Sequence, residues 1–236
     1  MVKISRRLRK EFEGIELFAF DGDGVIYRGA ELLPGAEEAL TFLNNNFKVV
    51  IITNNSTTTT DARRLKLEKL GIKLTNDQII SSASATASYL AKTRPQAKKI
   101  WVIGEQGLRH ELAKKGFIIL NEELDEIEPI DTIQYSCDLV VVGMDRKLTY
   151  DRLAIGCRFV RQGAEYIATN VDQTFPIENG VLPGAGSMIA ALSACVGKKP
   201  AIILGKPESL MYEQAMEETA ISAEKSAFFG DRESRW

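Results

Sequence analysis

The sequence predicts an α/β protein built on parallel sheet, and three observations carry that prediction. Short runs of strand-forming apolar residues recur along the chain, at 17–20, 49–52, 100–103, 139–142 and 201–204. They are apolar throughout instead of alternating, as in strands covered on both faces, the usual state of parallel strands. Segments with helical spacing of apolar residues lie between them. Several of the runs also stop abruptly at a polar residue, which in an open α/β sheet marks the edge where ligands bind.

The first run, Leu17-Phe18-Ala19-Phe20, stops at Asp21, and a second acid, Asp23, follows across Gly22, with Gly24 after it. A strand, an acid and a glycine-permitted turn set two carboxylates at the carboxyl edge of a sheet. Asp-Gly is also a common surface turn, so the pair alone decides nothing. It is not an EF-hand loop, because Val25 and Ile26 stand where the third acid and the glycine belong. Pro34-Gly35, followed by Glu37 and Glu38, opens a helix whose apolar face is Ala39, Leu40 and Leu43 and which the Asn44–Asn46 run ends. The next strand, 49–52, runs into Thr53-Asn54-Asn55-Ser56, whose side chains suit the cap of a helix over 61–70 that stops at Gly71. A short strand at 79–82 and a small-residue helix at 83–91 follow.

The alternation continues with strands at 100–103, 117–120, 139–142 and 166–168, helices at 106–115 and 150–162, and an acidic loop at 122–131. Leu182-Pro183-Gly184-Ala185-Gly186 precedes a helix that runs to Val196. The strand 201–204 ends in Gly205-Lys206-Pro207, a helix extends to Ala220, and the strand 226–229 ends in Gly230-Asp231-Arg232. Nothing repeats at a fixed period, which excludes a solenoid. Residues 1–16, basic and then acidic, read as a short amphipathic helix or a loose end.

With 236 residues, 44% hydrophobic and 26% charged, the chain has room for one large domain or two smaller ones. A net charge of -2 offers nucleic acid or an anionic membrane no general electrostatic attraction. No apolar run reaches the roughly 18 residues of a membrane span. Cys137, Cys157 and Cys195 lack metal-ligand spacing and are expected to be reduced, in a cytoplasmic protein. His110 is the only histidine, which excludes histidine metal clusters and disfavours a Ser-His-Asp triad; on a polar helix it reads as a surface residue. Gly184-Ala185-Gly186 is no dinucleotide fingerprint, since Ile189 replaces the third glycine.

The four polar strand ends form a matched set: Asp21 with Asp23, Thr53 with Asn54, Lys206, and Asp231. A parallel sheet brings such ends to one edge. Acids beside a lysine suit a divalent cation next to a phosphate, because Mg²⁺ takes one or two carboxylates with substrate oxygens and waters. Thr53 offers a hydroxyl, and the turn after it backbone N–H groups, to phosphate oxygens. Taken singly, Lys206 reads as a solvated lysine, Asp231 as a helix cap and Thr53 as a cap residue.

With FDGDGVIY, ITNNST, GKP and FFGDR in that order, the chain resembles the haloacid dehalogenase (HAD) superfamily. It is most similar to the branch of 4-nitrophenyl phosphatases, phosphoglycolate phosphatases and NagD-type nucleotide phosphatases. VVGMDRKLTYDRL and YIATNVDQTFPIENGVLPGAGS look like the cap of that branch. The resemblance implies a Rossmann-like core, residues 1–82 and 200–236, with an inserted α/β cap, residues 83–199. It implies a Mg²⁺-dependent phosphatase acting on a small phosphorylated metabolite, with Asp21 as nucleophile and Asp23 as general acid and base. Thr53 and the Asn54 backbone would hold the phosphoryl oxygens, Lys206 would neutralise charge, and Asp21, Asp231 and the Asp23 carbonyl would bind the metal. Phe175 and the 183–187 loop are the expected substrate-facing cap positions, with plain cap core the equal alternative for Phe175. A homodimer formed through the cap is implied as well.

One departure bears on activity. The family continues after the metal aspartate with a pattern like D-R-L-x-T-D-I, whereas here Asp231-Arg232 is followed by Glu233-Ser234-Arg235-Trp236. The resemblance therefore implies a chain shortened at its C-terminus by on the order of 25–30 residues, one helix–strand unit and a little more. The alternative to an active enzyme is then an impaired, phosphate-binding member of the same fold. A receiver-like switch also uses an acid pair, a threonine and a lysine, but lacks an insert as large as 83–199.

Overall fold

The computed structural model describes residues 10–29, 31–122, 136–177 and 180–231. The expected features at 1–9, most of the acidic 122–131 loop and residues 232–236 lie outside them. In chain order the main elements are β1 (Leu17–Asp21), β2 (Tyr27–Arg28), β3 (Glu31–Leu32), α1 (Ala36–Asn46), β4 (Lys48–Thr53), α2 (Thr60–Lys69), β5 (Ile79–Ser81), α3 (Ser82–Thr93), β6 (Lys99–Ile103), α4 (Gln106–Lys114), β7 (Ile118–Ile119), β8 (Leu139–Val142), α5 (Tyr150–Arg161), β9 (Glu165–Ala168), β10 (Thr174–Ile177), β11 (Gly180–Pro183), α6 (Ala185–Val196), β12 (Ile202–Ile203), α7 (Leu210–Thr219) and β13 (Ser226–Phe229). They pack as two units. Of the described residues, the first comprises those within 1–53, 63–80 and 212–236, the second those within 54–62 and 81–211.

The first unit is built on a sheet of order β13-β1-β4-β5. β1 is parallel to both its neighbours, Leu17 standing opposite Lys48 on one side and Ser226 on the other. Leu17, Phe18 and Ala19 are buried, as a strand flanked on both sides must be. Phe18, Leu40, Leu43, Val49, Ile51, Leu67 and Ile79 make the core of this unit, and Phe20 stacks on Phe229 with ring centroids 4.8 Å apart. α1 opens as expected, with Gly35 in the left-handed region at φ 83° and Glu37 and Glu38 in its first turn. It runs through the asparagines to Asn46 before ending.

The second unit is built on a parallel sheet of order β12-β9-β8-β6-β7. Its strands alternate between two cores. Ile100, Val102, Val141 and Ile167 pack with Ala83, Ala87, Leu90, Leu108 and Leu112 of α3 and α4. Trp101, Ile103, Val140 and Val142 pack with Ile155 and Phe159 of α5 and Ile189 and Leu192 of α6. Both faces are covered, hence the unbroken apolar runs. His110 sits on the exposed side of α4. Among the described residues no helix is long and apolar enough to cross a membrane.

Three features differ from the sequence-based expectation. β12, placed above with the core segment 200–236, is instead paired with β9. The Ala201 and Leu204 N–H groups donate to the Tyr166 and Ala168 carbonyls at 2.7 and 3.1 Å, and Leu204 is buried against the α3–α4 side of that sheet. Second, Cys157 and Cys195, expected to be reduced, form a disulfide with Cα atoms 6.3 Å apart. The two cysteines lie on α5 and α6, which pack together, a proximity that 38 residues of sequence separation conceal. Cys137 alone is free. Third, β10 and β11 form an antiparallel hairpin in a stretch whose Pro176, Gly180 and Pro183 discourage a strand assignment.

Candidate active site

In the first unit the sheet edge carries Asp21, Asp23, Thr53 and Asp231. Asp21 is the last residue of β1 and lies opposite Ile52, so buried Thr53 follows one step beyond it on β4. On the other side Phe20 is level with Phe229, so Asp231 lies just past the end of β13. The parallel register thus brings three of the sequence-predicted groups to one edge, as expected of an open sheet.

The acid loop is held by its own backbone. The Gly22 N–H donates to Asp21 Oδ1 at 2.7 Å. The Gly22 carbonyl accepts from the N–H groups of Ile26 and Tyr27 at 3.0 and 3.2 Å, and the Gly24 N–H donates to the Tyr27 carbonyl at 2.9 Å. Both glycines are required here. Gly24 has φ 85°, in the left-handed region, and a Cβ on Gly22 would lie 2.8 Å from the Tyr27 hydroxyl. Behind the loop stand three side chains that sequence reasoning did not single out. Tyr27 is buried, its hydroxyl accepts from Arg63 Nη1 at 3.3 Å, and Lys66 Nζ lies 3.9 Å from its ring centroid while donating to the Gly29 carbonyl at 2.8 Å. Burial, above all, raises the Tyr27 phenol pKa; the negative charges of Asp23 and Asp21 add to this, and Arg63 opposes it. Burial also lowers the pKa of the Lys66 ammonium, against the pull of Asp23.

The residues here fit a hard divalent cation. Asp21 and Asp231 supply two carboxylates at one edge, within the one or two that Mg²⁺ takes alongside waters. Gly24 leaves the Asp231 carboxylate its space, since a Cβ there would overlap Asp231 Oδ2. Among the described residues no three His, Cys, Asp or Glu side chains gather as a metal cluster.

The second unit carries Asn54 and Lys206, along with residues the sequence reading did not single out. Asn54 Nδ2 donates to the Lys206 carbonyl at 2.9 Å, and the Lys206 N–H donates to Asn54 Oδ1 at 2.8 Å. Asn54 Nδ2 also donates to Asp172 Oδ2 at 2.9 Å. Asn170 Nδ2 bridges the Asn54 carbonyl at 3.0 Å and Asp172 Oδ2 at 3.1 Å, and Ser82 Oγ donates to the Asn54 carbonyl at 2.6 Å. The segment 54–62 is further tied to α4, where the Gly107 N–H donates to the Thr57 carbonyl and Glu111 accepts from the Thr60 N–H. These bonds explain why Thr53 and Asn54, neighbours in sequence, fall in different units. Phe175 packs against the α5–α6 core. Ser187, at the start of α6, donates through its hydroxyl to the Gln173 carbonyl at 3.1 Å. Asn170 and Asp172 lie within the stretch whose only sequence signal was its cap-like resemblance.

An α/β chain with acids at the carboxyl edge of a parallel sheet belongs to the open-sheet class that binds ligands at that edge, and comparison with known proteins narrows it. Residues 18–118 match the family model of haloacid dehalogenase-like hydrolases. An acid sugar phosphatase of Staphylococcus epidermidis is 35% identical over 218 residues, 92% of this chain and 78% of the relative. The 5'-nucleotidase YutF of Bacillus subtilis is 34% identical over 91% of this chain and 78% of its own length. The crystal structure of a 4-nitrophenylphosphatase from Thermotoga maritima superposes with a TM-score of 0.84 at 34% identity, covering 95% of this chain and 81% of that one. The chain belongs to the haloacid dehalogenase superfamily, in its NagD-like and 4-nitrophenylphosphatase branch. It is a hydrolase of the phosphatase class.

Proposed function

We propose that the chain hydrolyses small phosphate monoesters through an aspartyl phosphate on Asp21. The observation that carries this reading is the sheet edge of the first unit, where Asp21, Thr53 and Asp231 end adjacent parallel strands. A carboxylate oxygen of Asp21 attacks phosphorus, and the bond from phosphorus to the ester oxygen breaks. The Asp23 carboxylic acid gives its proton to that leaving oxygen. Water then attacks the phosphorus of the acyl phosphate and passes its proton to the Asp23 carboxylate, releasing inorganic phosphate and restoring Asp21. Thr53 Oγ and the Asn54 N–H hold the phosphoryl oxygens, and Lys206 offsets their negative charge. Asp21, Asp231 and the Asp23 carbonyl would hold Mg²⁺, which would supply positive charge to offset that of the phosphoryl group.

In this reading residues 83–199, together with β12, act as the cap and the first unit's sheet as the core, with pairing of two copies through the cap. The substrate is a sugar phosphate, a nucleotide or an aryl phosphate, the kinds named in the relatives. The test is turnover of 4-nitrophenyl phosphate, a hexose phosphate and a nucleoside monophosphate, with Mg²⁺ and with chelator. Mg²⁺-dependent release of phosphate from at least one of them is expected. Phosphate binding without any release would overturn the reading.

A further inference from the structure

Asn54 and Lys206 are joined by a reciprocal pair of hydrogen bonds. One amide side chain both donates to and accepts from the backbone of a single residue 152 positions away, at 2.9 and 2.8 Å. Two opposed bonds to one residue fix its backbone in position and in direction, as the paired bonds of an antiparallel ladder do. The arrangement closes because residue 205 is glycine, where a Cβ would meet Asn54 Oδ1 at 2.6 Å and the Thr169 carbonyl at 2.6 Å.

A primary amide has two ends of similar shape, and only one orientation makes both bonds. Asp172 decides between them. Its carboxylate can only accept, and its Oδ2 takes an N–H of Asn54 at 2.9 Å. Turning the amide over would set Oδ1 against that carboxylate and break both bonds to Lys206. Asn170 locks the arrangement by donating from one nitrogen to both Asp172 Oδ2 and the Asn54 carbonyl. Lysine carries its charge on a flexible four-carbon stem, so what the fold can fix is the stem's origin.

We propose that Asp172 is a positioning residue, which acts through the Asn54 side-chain amide to set the backbone from which Lys206 reaches the phosphate. The inference rests on the charge-neutralising role given to Lys206 above. It assigns the Asn54 side chain a task separate from the phosphate contact of the Asn54 N–H. A merely structural network would stabilise the second unit without acting through Lys206, and a double-mutant cycle separates the two.

The experiment measures kcat, KM and Tm of the full chain with 4-nitrophenyl phosphate and Mg²⁺ for Asp172→Asn, Lys206→Ala and the double variant. Lys206→Ala is expected to lose about 10²–10³-fold in kcat, the range for one preorganised charge-stabilising donor. Asp172→Asn is expected to lose about 10–100-fold in kcat with little change in KM, as for a small misplacement of a catalytic group. In the Lys206→Ala background the same substitution should cost less than about twofold, because its target is gone. An equal loss in both backgrounds, or none in the parent, overturns the positioning role while Lys206 keeps its own. A wild-type kcat for Lys206→Ala overturns the role of Lys206, and this proposal with it. If Asp172→Asn does not fold, Asn54→Asp tests the same link by setting carboxylate against carboxylate. It should show the same non-additivity with Lys206→Ala, and additivity there overturns the proposal.

Discussion

The carboxylate of Asp231 lies directly against Gly24, so closely that a methyl carbon at position 24 would meet Asp231 Cγ at 2.9 Å. Gly24 also has φ 85°, where an L-residue is strained by about 1–2 kcal/mol. Gly24→Ala is therefore expected to lower Tm and to raise the Mg²⁺ concentration needed for half-maximal turnover. Gly29→Ala is the control, since Gly29 has φ 60° but nothing within 4 Å of an added Cβ. It should lower Tm without moving the Mg²⁺ titration. Equal titrations for both variants would show that the Gly24–Asp231 approach has no bearing on the metal.

Asp21→Asn is expected to abolish turnover with the fold intact, because an amide keeps the shape of the side chain and the Gly22 N–H contact but is a poor nucleophile toward phosphorus. Circular dichroism should match the parent while kcat falls below detection. Asp23→Asn should lose about 10²–10⁴-fold, the usual worth of a positioned acid and base, with its Mg²⁺ titration less affected because the backbone carbonyl remains. A parent-like rate for either variant would dismiss the role given to that residue.

The disulfide yields a prediction of its own. Cys195 is exposed while Cys157 is buried, so reductant can reach the bond from one side. Opening it, or substituting Cys157→Ser, should cost typically about 2–4 kcal/mol of stability, seen as a lower denaturant midpoint. Burial pushes the Cys137 thiol up to about 11, so it should react slowly with thiol reagents near neutral pH. The unfolded, unreduced chain should show one titratable thiol and the reduced chain three.

Asp138 gives a pH dependence with a definite sign. It accepts the N–H groups of Lys99 and Lys98, each at 2.8 Å, and these bonds hold its carboxyl below the ordinary carboxylate range. A depressed folded-state pKa stabilises the fold above the unfolded value of about 3.9. That stability is lost as pH falls from there through the folded value. Asp138→Asn should therefore melt below the parent at pH 7, and the gap should close toward pH 3. A gap that stays constant over this range would mean that the carboxylate charge contributes nothing.

The elements that position the site were legible because apolar runs and polar stops report on both burial and edges. Leu17 to Asp21 and Val49 to Thr53 are strands ending where their sequences change character. What the sequence withheld was addresses. A run as short as Ile202-Ile203 says strand but not which sheet, and it pairs with β9. The proline-bearing hairpin of β10 and β11 was hidden because proline argues against strands in general. Of the candidate site, Asp21, Thr53 and Asp231 were legible as polar stops of strands, with their proposed roles implied by the resemblance, whereas the contacts of Tyr27, Arg63 and Asp172 were not legible. Their contributions depend on contacts across 36 and 118 residues, as in Arg63 to Tyr27 and Asn54 to Asp172.

The pairing of β1 with β13 also governs timing. Leu17 meets Ser226 across the sheet, so the strand that bears Asp21 stays without one of its two partners until residue 226 has left the ribosome. Contacts between such distant residues form slowly, because a long loop must close first. The nascent chain can shape the five-stranded sheet first, as the strands of that sheet all lie between residues 99 and 203. Pairing of β13 with the strand that bears Asp21 would thus follow the five-stranded sheet during synthesis, so the edge that gathers Asp21 and Asp231 is completed after that sheet.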